Sequence, residues 1–527
     1  MNRNILIFGN GKTAHRAACT LMEKGLPVSI ITPDDGSVSE PGVDQPAFRK
    51  SPLIAHAELI SFAGYANQFH VGLKTGDGSK TLDAGAIIIA EDGLRQANHA
   101  AYGLNVTSQS LAISDISHRI QEMPVTPENW SGIRTVVFLL NLSVENHPVM
   151  ALEVMQAAKT LRSELGCKTY ILLGNLKVAS DGLEVLYQAC RDTGVVFVKF
   201  TETRPQIVQN DDQSVRIEFM DEITGDLFYL QPDLTVVDER ILASPRLKHL
   251  ARFMRLELDA NGFIQADNVH RLPVHTNRKG IFAIGGSRGI PLPGAANTDI
   301  ANACTGIYRV INGESVTPGI KAQINTGQCV KCLTCYRICP YAAVMLNARP
   351  ELISDLCERC GICAAECPRE AITIADLTDQ VIGQRIAAYK TDTKTGSSPF
   401  LVAFCCGRSA IPAQKLALAA GHILPANLLT IEVPCAGSIS IDYLLSAFSQ
   451  QADGVLVLTC HEGNCHSERG NRYARQRVDS IAERLTIIGV NPARLQLTTI
   501  AANMPTEFFE TVTRFEQQII QLNQVKS

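Results

Sequence analysis

Short runs of apolar, β-branched residues recur along the first 320 residues and alternate with longer stretches of helical periodicity. Asn4–Phe8, Pro27–Thr32, Ala86–Ala90, Thr135–Leu140, Thr169–Leu173 and Val195–Phe200 are the clearest of these runs. Strand–helix alternation of this kind predicts parallel sheets covered by helices. A second unit of the same type is expected over about 132–240. The pattern stops at residue 321, where a compact cysteine-rich block, 321–378, takes over. Lys390–Pro399 (KTDTKTGSSP) is polar and rich in Ser, Thr and Gly, and reads as a linker. Alternation resumes over 400–527, which predicts a C-terminal parallel α/β domain.

A chain of 527 residues with 46% hydrophobic and 19% charged residues has apolar surface for several cores. Its net charge of −4 offers no basic field for phosphates, so nucleic acid is not an expected partner. No stretch approaches 18 consecutive apolar residues, and the first residues read as a strand rather than a signal peptide. The expectation is a soluble cytoplasmic protein without direct membrane insertion, free or held at the inner face of the membrane by a partner protein.

Cysteine changes the picture. Of 17 cysteines, 13 lie from Cys329 onward and eight fall within Cys329–Cys367. In a long chain such clustering points to metal ligation in a reducing compartment. Two runs share one spacing at an offset of 28 residues: Cys329, Cys332, Cys335, Cys339-Pro340 and Cys357, Cys360, Cys363, Cys367-Pro368. Each is C-x2-C-x2-C-x3-C-P, in which three thiolates wrap one cluster and the fourth ligates the other. The spacing therefore assigns Cys329, Cys332, Cys335 and Cys367 to one [4Fe–4S] cluster, and Cys357, Cys360, Cys363 and Cys339 to a second. Zinc sites use paired cysteines in fours, not two tandem quartets each ending in proline. The block resembles bacterial two-cluster ferredoxins over some 50 residues, an α+β fold.

Near the N-terminus, strand Asn4–Phe8 runs into Gly9-Asn10-Gly11-Lys12-Thr13-Ala14 and a helical stretch. This is the G-x-G-x-x-G/A fingerprint of a Rossmann-like fold, whose glycines bring backbone against a pyrophosphate at a helix N-terminus. The ribose-binding acid is out of register: Thr32 holds its place, with Asp34 and Asp35 just beyond. Glu91-Asp92-Gly93, after Ala86–Ala90, occupies the place of the ATG turn of flavoproteins. Thr276–Gly286 (TNRKGIFAIGG) is similar to their late FAD motif, with Gly286 where an aspartate often sits. Together these imply bound FAD, with Gly9, Gly11, Ala14, Asp34, Gly93, Gly285 and Gly286 as contacts. Asn141-Leu142-Ser143-Val144, after Thr135–Leu140, has no glycine, which argues against NAD(P)H at the second unit.

In the C-terminal block three apolar runs end in cysteines. Phe400–Phe404 leads to Cys405-Cys406-Gly407, Leu428–Val433 to Pro434-Cys435, and Gly454–Thr459 to Cys460-His461-Glu462-Gly463-Asn464-Cys465-His466. Sites in open parallel sheets form beyond the carboxyl ends of the strands, so Cys405, Cys406, Cys435, Cys460 and Cys465 are expected at one edge. Soft thiolates select iron–sulfur or zinc, and a redox disulfide at Cys405-Cys406 is the other candidate. His461 and His466 read as hydrogen-bond donors to thiolates rather than ligands.

Gly454–Leu458 with Cys460-His461-x-Gly463-x-Cys465-His466 and Gly470-Asn471 resembles the delta subunit of methyl-viologen-reducing hydrogenase over about 130 residues. That resemblance implies a [2Fe–2S] cluster and leaves open which four of the five cysteines hold it. Residues 1–378, with Leu59–Val71 (LISFAGYANQFHV), Tyr170–Phe200 and His275–Gly289, are similar to the A subunit of heterodisulfide reductase. The cysteine-rich segment of that family's flavin domain has no counterpart, since only Cys167 and Cys190 lie between residues 20 and 300. The order of the three parts resembles the B subunit of quinone-interacting membrane-bound oxidoreductase.

The resemblance implies an oxidoreductase: an electron-transfer subunit exchanging electrons between FAD and iron–sulfur clusters. Its partners would be other subunits of a heterodisulfide-reductase-like or quinone-interacting complex, and electron donor or acceptor proteins. No catalytic acid–base or nucleophilic set stands outside these sites. Two alternatives remain open, a self-contained NAD(P)H-dependent flavoprotein reductase and a flavin-less iron–sulfur relay.

Overall fold

A computed structural model of the chain describes residues 2–35, 52–143, 147–178, 180–264, 273–289, 292–313, 321–392 and 398–524. Val144 and half of the polar Lys390–Pro399 stretch, 393–397, lie outside them. Five parallel strands in the order Ile281–Ala283, Ala86–Ile89, Ile5–Phe8, Val28–Ile31 and Leu53–Ile54 form the first sheet. Ile5 and Ile7 face helices Lys12–Glu23 and Pro293–Ile311, while Leu6 and Phe8 face an antiparallel sheet (Glu58–Tyr65, Gln68–Thr75, Gly78–Ala84) and helix Pro245–Met254. Both faces are buried, which explains why the strands read as unbroken apolar runs.

The second unit repeats this plan with strands Val196–Lys199, Lys168–Leu173, Thr135–Leu140, Leu234–Val237 and Ser110–Ala112, again all parallel. It begins earlier than residue 132, because Ser110 and its neighbours pair with Thr235–Val237 and helix Ile113–Glu122 follows directly. The antiparallel pair Leu94–Ala97 and Glu239–Leu242 ties the two units together.

The cysteine-rich block is two small antiparallel pairs, Gln323–Ile324 with Ile372–Thr373 and Val344–Leu346 with Pro350–Leu352, and the short helices Thr334–Ile338 and Ile362–Ala365. The repeat seen in sequence is repeated in the backbone. Left-handed residues fall at Lys331, Leu333 and Ala342, and again at Arg359, Gly361 and Glu370.

The C-terminal domain is a parallel sheet in the order Leu428–Val433, Leu401–Cys406, Gly454–Thr459 and Leu495–Thr499. Helices Ala410–Ala419 and Pro505–Gln524 cover one face. Helices Asp379–Asp392, Ile441–Ser449 and Gly470–Ile487 cover the other. Helix Asp379–Asp392 therefore continues into the first residues of the expected linker: Ile382 and Ile386 are fully buried against the C-terminal sheet, and packing overrides the polar composition that follows. Among the described residues no helix is long and apolar enough to cross a membrane.

Candidate functional site

The left-handed residues at Lys331 and Leu333 curl the first loop so that Cys329 and Cys332 face Cys335 on helix Thr334–Ile338. Cys329, Cys332, Cys335 and Cys367 line one cavity, with Ile324, Leu333, Pro350 and Ile372 as its apolar wall. The fourth thiol thus comes from the other run. In the second set, Cys339, Cys357 and Cys363 all stand within electrostatic reach of Cys360 or one another, and burial pushes the Cys360 and Cys363 thiols up. The backbone N–H of Ala343 donates to Cys339 Sγ and that of Ala371 to Cys367 Sγ, each at 3.3 Å. Donors of this kind favour a thiolate and tune what it binds. No three or more His, Cys, Asp or Glu side chains among the described residues are grouped as ligands of a single metal ion; in a cluster each thiolate takes its own iron.

The C-terminal thiols follow from strand alternation. Cys405 and Cys406 are both within strand Leu401–Cys406, so they point to opposite faces. Cys406 faces the layer that contains Cys435, Cys460 and Cys465. Cys405 is packed with Leu401, Ala403, Leu458 and Phe508 on the other face, where burial raises its thiol pKa. The expectation that all five cysteines share one edge is corrected here: Cys405 is a core residue, and a Cys405–Cys406 disulfide has no place in this geometry. Cys460 interacts with Cys406 and Cys465, and Cys465 also with Cys435, within one buried cluster. Those interactions, with N–H groups of Asn471 and Ser467, lower the pKa of Cys465.

Gly470 makes room for the set, since a Cβ there would stand 2.3 Å from Cys435 Sγ and 3.4 Å from Cys465 Sγ. Asn471 Nδ2 donates to the Cys460 and His461 carbonyls at 3.1 and 2.9 Å, fixing the loop. His461 Nε2 lies 3.4 Å from Met504 Sδ, and the His466 ring stands beside Tyr341, with 6.5 Å between ring centres.

The three sets stand in series. Cys363 packs against the apolar cluster that contains Cys335, and Cys360 packs against both that cluster and the one that contains Cys435 and Cys465. Gly361 is pressed onto the C-terminal domain so closely that a Cβ would meet Ser438 Cβ at 2.4 Å. Arg477 bridges the same seam, at 2.7 Å from Glu366 and 3.2 Å from the Gly437 carbonyl. On the other side Lys279 pairs with Glu358, and Arg255, 4.0 Å from the Tyr336 ring centre, donates to the Val344 carbonyl. Sequence reasoning missed these seam residues because a lone charge or glycine carries no spacing signal.

At the glycine-rich loop, Gly9 is required for packing: a Cβ there would sit 2.2 Å from the Ala90 carbonyl oxygen. Gly11 leaves a cradle at the start of helix Lys12–Glu23, and Asp92 occupies it, its Oδ2 only 1.7 Å from where a Cβ would be. Ala14 is buried beneath the loop. Asp34 interacts with Thr32, whose hydroxyl lies 3.4 Å from its Oδ2. Gly93 abuts Ile241, Gly286 abuts the Glu91 backbone, and the Gly285 N–H donates to Asp299 at 2.9 Å. Glu91 is buried, 2.8 Å from Arg246, with its pKa pushed up to about 7 by burial and by Asp92 and Asp34. The glycine backbone fits a pyrophosphate. The Asp92 carboxylate does not, so a dinucleotide enters only with Asp92 displaced.

Residues 401–523 match the family model of the methyl-viologen-reducing hydrogenase delta subunit, and residues 350–373 match the 4Fe-4S binding domain. The iron-sulfur D subunit of the F420-non-reducing hydrogenase of Archaeoglobus profundus is 30% identical over 128 residues, 24% of this chain and 93% of that one. Through its C-terminal domain the chain belongs to the delta-subunit family. The chain spans less than a fifth of the length of other relatives that it matches. The A subunit of the ferredoxin:CoB-CoM heterodisulfide reductase of Methanosarcina mazei is 30% identical over 149 residues, which is 28% of this chain and 18% of that relative. The thioredoxin reductase of T. acidophilum aligns with 58% of this chain and 98% of its own at a TM-score of 0.38 and 14% identity.

Proposed function

We propose that the chain is an oxidoreductase, the iron–sulfur flavoprotein electron-transfer subunit of a heterodisulfide-reductase-like, multi-subunit complex. The observation that carries this reading is the series of three thiol sets, each packed with the next. Cys329, Cys332, Cys335 and Cys367 would hold one [4Fe–4S] cluster, and Cys339, Cys357, Cys360 and Cys363 the other. Cys406, Cys435, Cys460 and Cys465 would hold a [2Fe–2S] cluster. Bound there, the clusters supply one-electron chemistry and FAD at the glycine-rich loop supplies two-electron chemistry.

The chain's own residues contribute order and enclosure. Gly361 and Ser438 close the gap between the second and third sets, Arg477 clamps the seam, and the Ala343 and Ala371 N–H groups favour the thiolates. A flavin-less relay is the second reading, favoured by Asp92 in the Gly11 cradle.

Anaerobic purification with iron, acid-labile sulfide and flavin counted on one sample tests both. About ten irons and one FAD per chain are expected, from two four-iron clusters and one two-iron cluster. About ten irons without flavin selects the relay. A colourless chain without sulfide overturns both.

A further inference from the structure

A buried layer of positive charge lies between the N-terminal fold and the cysteine-rich block. Arg278 is 7% exposed. Its guanidinium donates to the Met254 and Gly64 carbonyls at 3.0 and 2.9 Å, and lies 5.2 and 6.0 Å from the ring centres of Phe62 and Phe69. Arg255, half-buried, donates to the carbonyls of Tyr336 and Val344 and stands over the Tyr336 ring. Among the described residues no carboxylate pairs with either arginine. Carbonyls and ring faces offer partial charge but no counter-ion, and an uncompensated ion is costly to bury. Burial, and then the charge of Arg255, pull the pKa of Arg278 down to about 10, the mark of a cation short of an anion. The Cys339 thiolate is among the groups that pull it back up.

The layer ends on the second thiol set. Asn277, next to Arg278, is also buried, and its Nδ2 donates to the carbonyls of Arg255 and Pro340 at 3.0 and 3.1 Å. Pro340 follows Cys339 directly. Val344, held by Arg255, follows Ala343, whose N–H donates to Cys339 Sγ. Tyr65, beside Gly64, packs against the apolar cluster that contains Cys335 and Cys357, as do Cys339, Cys360 and Cys363. Both acids of the run Cys357–Pro368 are already engaged, Glu358 with Lys279 and Glu366 with Arg477. What remains to balance the two arginines is the sulfur of the second set.

We infer that Arg278, with Arg255 beside it, is the counter-charge of the second thiol-bound centre and raises its reduction potential. The inference rests on reading Cys339, Cys357, Cys360 and Cys363 as ligands of a [4Fe–4S] cluster. Four thiolates leave such a centre anionic, and reduction adds a further negative charge. A fixed cation in a site with little water stabilises the reduced form more than the oxidised one. The first run has cations too, but they stand in solvent. Arg337, which donates to the Cys332 carbonyl at 3.0 Å, is exposed, and water and salt screen its charge. The middle centre of the series thereby becomes a better electron acceptor than its sulfur ligands alone would make it.

Redox titration of the full chain, purified anaerobically and followed by EPR, reads the centres without turnover. Arg278→Met removes the charge and keeps an apolar stem. It should retain its iron and lower one four-iron midpoint by about 59 mV, a tenfold change in the ratio of oxidised to reduced centre at a fixed potential. Arg278→Lys keeps the charge and should keep most of the wild-type midpoint, which a merely structural role would not predict. Arg337→Met, at the exposed arginine, should move the midpoints far less. Where Arg278→Met loses its iron, Arg255→Met at the edge of the layer should shift a midpoint in the same direction. Unmoved midpoints in a variant with full iron, equal shifts in the Met and Lys variants, or an equal shift in Arg337→Met overturns the inference. Iron counted on the same samples separates the two failures. Full iron with charge-blind midpoints sinks the counter-charge alone, and a wild-type chain without iron sinks the cluster reading as well.

Discussion

The glycine-rich loop and the C-terminal thiol edge use the same device for opposite ends. Both lie beyond the carboxyl ends of parallel strands, and in both a glycine at a helix start leaves space that a Cβ would fill. At Gly11 the chain fills that space itself, with the Asp92 carboxylate. At Gly470 the space is taken by Cys435 and Cys465, thiols positioned for a common centre. A glycine in the right register therefore shows that something approaches the backbone closely, and not what. Only the residues opposite it decide whether that is a ligand or the protein's own side chain.

The largest effect expected from this comparison is at Gly470. Gly470→Val drives a branched side chain into two sulfurs, so the variant should lose about two irons, keep about eight, and fall in stability by roughly 1–3 kcal/mol. Retention of the full iron complement would remove the C-terminal ligand set. Next, adjacent cysteines should behave oppositely. Cys406→Ala should lose the same two irons, whereas Cys405→Ala should keep them and cost about 1–2 kcal/mol for the small cavity it leaves, measured by denaturant titration.

At the other loop, Asp92→Ala should tighten FAD binding about tenfold in titrations of flavin-free protein, by removing a negative charge from the pyrophosphate position. Equal affinities would mean that Asp92 is no obstacle. The smallest effect is one of pH. Burial raises Glu91 from its ordinary 4.5 to about 7, so the folded state holds its proton more tightly than the unfolded chain. That contribution is complete below about pH 4.5 and is lost as pH rises through about 7. Glu91→Gln should flatten the stability profile across this window in pH-dependent urea titrations.

Much of the fold was legible because strands buried on both faces leave unbroken apolar runs, as at Ile5–Phe8 and Thr135–Leu140. The tandem cysteine spacing was legible for a related reason, since a loop around a cluster leaves little freedom in residue count. Cys405 was misplaced because a run of apolar residues ending in two cysteines does not disclose where the strand stops. One residue more of strand turns one thiol away from the other. The Asp92 contact was invisible because it joins positions 11 and 92 through tertiary packing alone. Helix Asp379–Asp392 was obscured by the polar residues that follow it.

The paired clamps on the cysteine-rich block have a mechanical consequence. Glu358, gripped by Lys279 of the N-terminal fold, and Glu366, gripped by Arg477 of the C-terminal fold, belong to one short stretch of chain. Anchored on both flanks, the block is a fixed bracket and not a swinging arm. In the proposed series its distance from the C-terminal thiols would be set once, at folding.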